Sequence, residues 1–166
     1  MTIAQTLLPE FDQEVAATRK ALERIPEDKL AWKTHPKSWT VAELATHLTH
    51  IFSWVAVTME TESLDIDAQH KETPIDSRRN LLETFDRNAA AARASLAAAD
   101  DGRMSATWTA KVEGKPAFAM PRSAVLRSFV FNHCIHHRGQ LTVYLRLLNV
   151  PVPSIYGPSA DEEPAK

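Results

Sequence analysis

Four long segments of this chain repeat apolar side chains at the spacing of an α-helix, and nothing else in the sequence constrains the fold as strongly. The segments cover about residues 3–25, 40–55, 76–99 and 121–149. In each segment apolar residues recur every three or four positions, which places them on one side of a helix. Glycine, which destabilises helices, occurs only four times in 166 residues, so the composition agrees with this interpretation. The sequence therefore predicts four helices, each with one face to bury.

The ends of these helices are marked by residues suited to helix termini. Thr40 and Glu43 form a capping box at the start of the second helix, where each side chain accepts a hydrogen bond from an otherwise unpaired backbone N–H. Asp76 is placed to cap the third helix, and Pro121 suits the first turn of the fourth. Pro9 lies inside the first pattern, where it either bends the helix or moves its start.

The segment between the third and fourth helices has a different pattern. Residues 106–112 alternate apolar and polar side chains, and Gly114 and Pro116 interrupt the chain directly afterwards. We predict a small hairpin or an ordered loop here. Four amphipathic helices with a long crossover are typical of a four-helix bundle. The predicted fold is therefore all-α, a four-helix bundle with long crossover connections, in a single domain spanning residues 1–166.

The overall composition disfavours several classes of protein. The formal net charge is −2 and the chain has no basic run, so nucleic acid is not an expected partner. No apolar stretch approaches the roughly 18 residues of a membrane-spanning helix, and the first residues lack a signal-peptide pattern. The single cysteine, Cys134, rules out an intrachain disulfide, which fits a reducing compartment. We expect a cytoplasmic protein that binds neither membranes nor nucleic acid.

Three of the seven histidines lie in one five-residue stretch of the fourth predicted helix, residues 133–137. His133 and His137 are four residues apart, so a helix places both imidazoles on the same side, one turn apart. His47 lies between Leu44 and Ile51 on the apolar stripe of the second helix, so it also faces inward. Three imidazoles from two helices can hold one metal ion and leave a coordination position open, as catalytic sites do. The predicted metal ligands are therefore His47, His133 and His137.

The sequence leaves alternatives to this site. The three histidines could instead be buried side chains that hydrogen-bond to the backbone or to one another. His136 is a reserve ligand on a neighbouring part of the helix surface, and His50 lies one turn from His47 and could line the same cavity. A zinc protease of the HExxH type is disfavoured, because Cys134 stands where that motif has its catalytic glutamate.

Three neighbours of the predicted ligands support weaker inferences. Cys134 points about 100° away from His133 on a helical wheel and is interpreted as a small buried apolar residue. Arg138 could hold an anionic substrate, although an interhelical salt bridge is favoured. Gly139 within a helix costs about 1 kcal/mol relative to alanine, which indicates close backbone packing at that point.

Two segments resemble helices of the DinB/YfiT-like family: residues 38–48 (SWTVAELATHL) and residues 133–141 (HCIHHRGQL). Residues 152–162 are similar to the C-terminal tail of one bacterial branch of that family. This is the damage-inducible family of metal-binding proteins, not the DNA polymerase that shares its label. The resemblance implies a four-helix bundle, often dimeric, in which three histidines bind zinc or nickel. By motif these ligands fall on His47, His133 and His137.

The resemblance also suggests a reaction, because characterised relatives include transferases and isomerases that use a low-molecular-weight thiol. It implies a metal-dependent thiol S-transferase, in which the charge of the metal would deprotonate a bound thiol. The alternatives are a metal-dependent hydrolase, a non-enzymatic metal-binding protein of a stress response, and a helical dimer whose histidines bind no metal. The expected partners are a small-molecule substrate and a second copy of the chain. Arg138 and His136 are candidate helpers, and the sequence identifies no catalytic base.

Overall fold

The computed structural model describes residues 1–66, 72 and 75–162, which form helices packed against a small sheet. In chain order the helices are α1 (Ile3–Glu23), α2 (Val41–Ile51), α3 (Ser53–Glu60), α4 (Arg78–Ala97), α5 (Asp101–Ser105), α6 (Arg122–Leu126) and α7 (Asn132–Leu147). A 3-10 turn covers Glu27–Lys29, and a π-helical segment covers Arg127–Phe131. The strands are β1 (Ser63–Asp65), β2 (Thr107–Val112) and β3 (Lys115–Pro121). None of the described helices is long and apolar enough to cross a membrane.

The predicted all-α four-helix bundle is wrong, because the described residues include a three-stranded mixed sheet. β2 pairs antiparallel with β3, and β1 lies parallel to β2 on its other side. The alternating segment 106–112 thus contains the first strand of a hairpin, and a hairpin is one of the two structures that the sequence left open. β1 is only three residues long, too short for alternation to mark it as a strand, and its pairing with β2 gives it that structure. The fold contains both helices and strands.

The hairpin is closed by a turn whose backbone favours glycine. Glu113 has a φ of 50° and Gly114 a φ of 75°, and two consecutive positive φ values are what a type I′ turn requires. This turn matches the twist of the two strands that it joins. The alternation of β2 then buries Trp108 and Ala110 beneath the sheet while their neighbours remain more exposed. The hairpin therefore presents an aromatic side chain towards the helices.

Capping side chains locate the starts of the helices. Thr40 accepts from the Glu43 backbone N–H, and Glu43 accepts from the Thr40 backbone N–H, so the predicted capping box is confirmed. Ser77, one residue after the predicted Asp76, caps α4. α1 begins at residue 3 and continues through Pro9, so the proline does not displace its start.

One of the predicted helices is divided, and another contains a π-helical segment. The second ends at Ile51, and α3 follows after Phe52. The fourth is continuous from α6 to α7, but in the π segment the Asn132 N–H bonds to the Arg127 carbonyl, five residues back. This wider turn holds one residue more than an α-helical turn. It therefore changes which side chains of α7 face inward.

The main core is shared by α1, α2, α4 and α7. Phe11 of α1 packs edge-to-face on Phe52 and on Phe131, with ring centroids 5.3 Å and 6.3 Å away. A smaller core around Trp108 and Val125 lies between the sheet and α6. α2 packs directly against α7, so the histidines of the two helices face each other.

Candidate metal centre

Three imidazoles meet where α2 packs against α7. His47 comes from α2, and His133 and His137 come from consecutive turns of α7. Their candidate ligand atoms all lie within 4.8 Å of one another. The structure thus brings together the three residues that the sequence selected, and this cluster could hold a metal ion. That they are ligands stays a prediction.

A carboxylate fixes the orientation of the His47 ring. His47 Nδ1 lies 2.8 Å from Glu72 Oε1. An ionised carboxylate can only accept hydrogen bonds, so His47 Nδ1 carries the proton. The other nitrogen, Nε2, then presents a lone pair to the cluster, and it lies 3.2 Å from His133 Nε2. A carboxylate that holds a histidine in this way is a recurrent partner of metal-binding imidazoles.

Gln140 fixes the orientation of the His137 ring in the same way. His137 Nδ1 lies 2.7 Å from Gln140 Oε1, and an amide oxygen accepts, so Nδ1 is the protonated nitrogen. The amide nitrogen of Gln140 is 3.2 Å from His136 Nε2, to which it donates. His136 therefore stands behind Gln140 and supports its orientation.

The third ring is held by the backbone of the π-helical segment. The Phe129 carbonyl accepts a hydrogen bond from the His133 ring. Because His133 Nε2 is turned towards His47, Nδ1 is the nitrogen left for this bond. π-helical turns frequently occur at functional sites, where they free backbone groups from the regular helix ladder.

The donor set suits a divalent transition metal. His47, His133 and His137 are each held on one side by an oxygen acceptor, which leaves one lone pair per ring directed at the others. Two imidazole lone pairs 3.2 Å apart repel unless a proton or a cation lies between them. Neutral imidazole is a good ligand for zinc, nickel, copper and iron. The residues present therefore fit the metal that the sequence predicts.

Burial keeps two of these rings neutral. Burial, with a smaller contribution from the neighbouring His47, lowers the pKa of His137 to about 4, although its bond to Gln140 acts in the opposite direction. Burial, followed by the proximity of His47, also lowers the pKa of His133. A metal ligand must be deprotonated. Both rings of α7 are therefore in the form that binds metal at neutral pH.

Trp39 covers one side of the cluster. Its ring stacks on His137 with the centroids 5.4 Å apart, and it meets His47 edge-on at 5.1 Å. Tyr144 of α7 donates a hydrogen bond to the Trp39 carbonyl over 3.0 Å, which anchors the loop before α2. An aromatic plane against two imidazoles shields them from water on that side.

The other candidates lie outside the cluster. His136 contacts Gln140 rather than the three ligand nitrogens, so the reserve ligand is placed behind them. His50 lines a separate surface groove with Asn80 and Arg87. Arg138 is buried and pairs with Glu14 at 2.6 Å, which confirms the salt bridge that the sequence favours.

Two further expectations concern α7. Cys134 is fully buried, as predicted, and its sulfur lies 3.1 Å from the Thr18 hydroxyl. The close backbone packing expected at Gly139 is wrong, because a Cβ at this position would meet nothing within 4 Å. The glycine is exposed on the outer side of the helix.

Sequence reasoning missed the residues that orient the rings. Gln140 could have been found, since it lies three residues after His137 and therefore on the same side of the helix. Glu72 lies outside any periodic segment, and no local pattern directs it to His47. The Phe129 carbonyl belongs to the π turn, which the α-helical spacing of the sequence does not reveal.

Comparison with known proteins agrees with this architecture. The DinB family model matches residues 1–165. The chain belongs to the DinB family. YrdA, an uncharacterised protein of Bacillus subtilis, is 26% identical over 159 residues, covering 93% of this chain and 89% of that protein.

Two solved structures share the DinB fold with this chain. A DinB-like protein of Bacillus cereus is 22% identical, with a TM-score of 0.74, and covers 93% of this chain and 98% of its own. The DinB-like protein YjoA of Bacillus subtilis is 19% identical, with a TM-score of 0.73, and the match covers 92% of this chain and 99% of YjoA. At this identity the two structures support the fold and not a shared reaction.

Proposed function

We propose that this DinB-family chain binds one divalent transition-metal ion, zinc or nickel, through His47, His133 and His137. The observation that carries the proposal is the convergence of three imidazoles. In each of them, the ring nitrogen that faces away from the cluster donates a hydrogen bond to an oxygen acceptor. Three protein ligands leave at least one of the usual four positions open. A metal ion there would lower the pKa of a thiol or water molecule that enters the open position.

We further propose that the protein is a thiol S-transferase that uses a low-molecular-weight thiol from solution. Its own cysteine cannot serve, because Cys134 is fully buried and burial raises the pKa of its thiol to about 11. A groove of about 580 Å³ beside His137 is suited to the thiol cosubstrate. Lys37 and Gln140 line it and offer a cation and an amide to a polar ligand.

The reaction proposed is substitution at an electrophilic carbon. The thiol sulfur forms a bond to that carbon, the leaving group departs with the bonding electron pair, and the thiol proton passes to solvent. In this scheme Glu72 and Gln140 keep His47 and His137 in position, and Trp39 keeps water from one side of the rings.

Metal content tests the first part of the proposal. We expect elemental mass spectrometry to find about one ion per chain in the wild type and a loss of that ion in His47→Ala and His137→Ala. His35→Ala is the matched control, since His35 lies in the loop before α2 and outside the cluster. Absence of metal from the wild type after incubation with zinc and with nickel would contradict the site.

Turnover tests the second part. Metal-loaded protein should consume cysteine together with a halogenated nitroaromatic compound or an epoxide, and chelator-treated protein should not. Hydrolysis of an ester without consumption of thiol would instead favour a metal-dependent hydrolase. Bound metal with neither reaction, and a large fall in the melting temperature on chelation, would indicate a non-enzymatic metal-binding protein.

A further inference from the structure

A second cavity touches the histidine cluster from the side of the sheet. It has a volume of about 260 Å³, and His47 and His133 form one end of it. Cavities that hold drug-sized ligands usually measure roughly 300–1,000 Å³, so this cavity suits a smaller molecule or one ring of a larger molecule. It is distinct from the groove beside His137, whose lining includes a lysine.

Aromatic side chains form most of the cavity wall. They are Trp54 of α3, Trp108 of β2, Phe118 of β3 and Phe129 of the π segment. Phe118 and Phe129 stack with an interplanar angle of 3° and centroids 4.6 Å apart. The ring centroid of Trp108 lies 6.3 Å from that of Phe118 and 6.5 Å from that of Trp54, so the four rings form a continuous surface.

The polar atoms near this wall are directed elsewhere. The indole N–H of Trp108 donates to the Thr61 hydroxyl over 3.0 Å, so this polar group is satisfied within the protein. Among the described residues that line the cavity, none carries a formal charge, and the polar members are His47 and His133. A charged ligand group would lose its hydration here and find no opposite charge on the wall.

We propose that this cavity binds the planar, uncharged aromatic part of the electrophilic substrate. A flat ring can pack against the parts of Phe118, Phe129 and Trp54 that remain exposed along this wall, because aromatic pairs prefer offset or edge-to-face contact. A ring held there places its substituents next to His47 and His133, where the proposed metal would activate the thiol. The substrate class rests on the proposed S-transferase function, whereas binding of the ring does not require the metal.

The test is fluorine NMR of 4-fluoronitrobenzene titrated with metal-free protein in the absence of thiol. We expect saturable binding that Phe118→Ala weakens about five- to tenfold, which corresponds to the loss of aromatic contacts. Val112→Ala is the control, since Val112 is an exposed apolar residue at the end of β2 and lies outside both this cavity and the groove beside His137. Melting temperatures of both variants establish that they are folded.

The outcomes separate this inference from the proposed function. A His137→Ala protein without metal that still binds the ring would support the cavity even if S-transfer failed. Equal affinity of wild type and Phe118→Ala would overturn the cavity assignment and identify the space as part of the small core. Equally tight binding of 4-fluorobenzoate to the metal-free protein would overturn the uncharged substrate class.

Discussion

Each predicted metal ligand depends on one neighbouring oxygen that decides which ring nitrogen carries the proton. For His47 this oxygen belongs to Glu72, and for His137 to Gln140. An imidazole without such a partner can present either nitrogen and can rotate, and both effects weaken metal binding. The chemistry of the cluster is therefore set by residues outside the histidine motif itself.

Removing these partners should weaken metal binding without destroying the site. We expect Glu72→Ala and Gln140→Ala each to raise the dissociation constant about 10- to 100-fold, because the ring loses its fixed orientation. Competition with a chromophoric chelator at constant pH measures the constant. Glu83→Ala serves as a control, since Glu83 pairs with Arg79 on the exposed side of α4. Unchanged affinity in both variants would show that the oxygens do not orient the ligands.

The thiol of Cys134 should be unreactive in the folded protein. Burial raises its pKa to about 11, against a smaller opposing effect of the Thr18 hydroxyl. Since the thiolate is the reactive form, at pH 8 the thiolate fraction should fall about 100-fold relative to an exposed thiol. We expect no labelling by an aromatic disulfide at pH 8 in native protein, and complete labelling in denaturant. Rapid labelling of the native protein would contradict the buried position.

At the scale of single elements, local side chains determine where a helix begins and ends, but they do not determine which of its residues face inward. The capping box of Thr40 and Glu43 identifies the start of α2 because both bonds lie within four residues. The π segment at Arg127–Phe131 has no comparable local signal. Hydrophobic spacing is nearly the same in α- and π-helical turns over so short a stretch. The backbone support of His133 could therefore not be predicted from the sequence.

Gly139 offers a test of helix propensity within α7. A Cβ there meets nothing within 4 Å, so we expect Gly139→Ala to raise the free energy of unfolding by about 0.5–1 kcal/mol. Gly114→Ala is the matched opposite, because its φ of 75° is strained for any residue with a Cβ. Gly114→Ala should lower the free energy of unfolding by about 1 kcal/mol. Urea denaturation measures both, and destabilisation by Gly139→Ala would indicate that the glycine has another role.

The sheet explains why the sequence predicts the wrong fold class. The alternation in 106–112 is short and is compatible with both a loop and a strand. β1 consists of three residues and pairs with β2 across more than forty intervening positions. Such pairing depends on helices that bring the two segments together. The helical periodicity indicates the long helices, but it carries no signal for a three-stranded sheet whose contacts are not local.

At the scale of the molecule, a buried network connects α1, α7 and the C-terminal segment. Arg138 pairs with Glu14 at 2.6 Å, and both side chains are almost completely buried. The Tyr156 hydroxyl accepts from Arg138 over 2.6 Å and donates to Glu14 over 2.7 Å. Burial of this hydroxyl and its bond to Glu14 raise the pKa of Tyr156, so it remains a donor at neutral pH. The chain end is thereby attached to the first helix.

Breaking this network should cost much more stability than breaking a surface pair. We expect Arg138→Met to lower the free energy of unfolding by about 3–5 kcal/mol, because it leaves the Glu14 carboxylate buried without a positive charge beside it. Tyr156→Phe should cost about 1 kcal/mol. Arg79→Met is the matched control, since Arg79 and Glu83 form an exposed pair whose attraction is weakened by water, and its loss should change the free energy of unfolding far less. Equal losses in the two arginine variants, measured by urea denaturation, would contradict the buried network.

The sequence by itself determined the long helices, the capping box of α2 and the three histidines that meet in the structure. These features depend on residues that lie within one or two helical turns of each other, or on which side of a helix a residue faces. Only the tertiary structure decided the sheet, the π turn, the contact of Glu72 with His47, and the aromatic cavity. Each of these depends on segments that are distant along the chain, and the packing of α2 against α7 and of the hairpin against α6 brings those segments together.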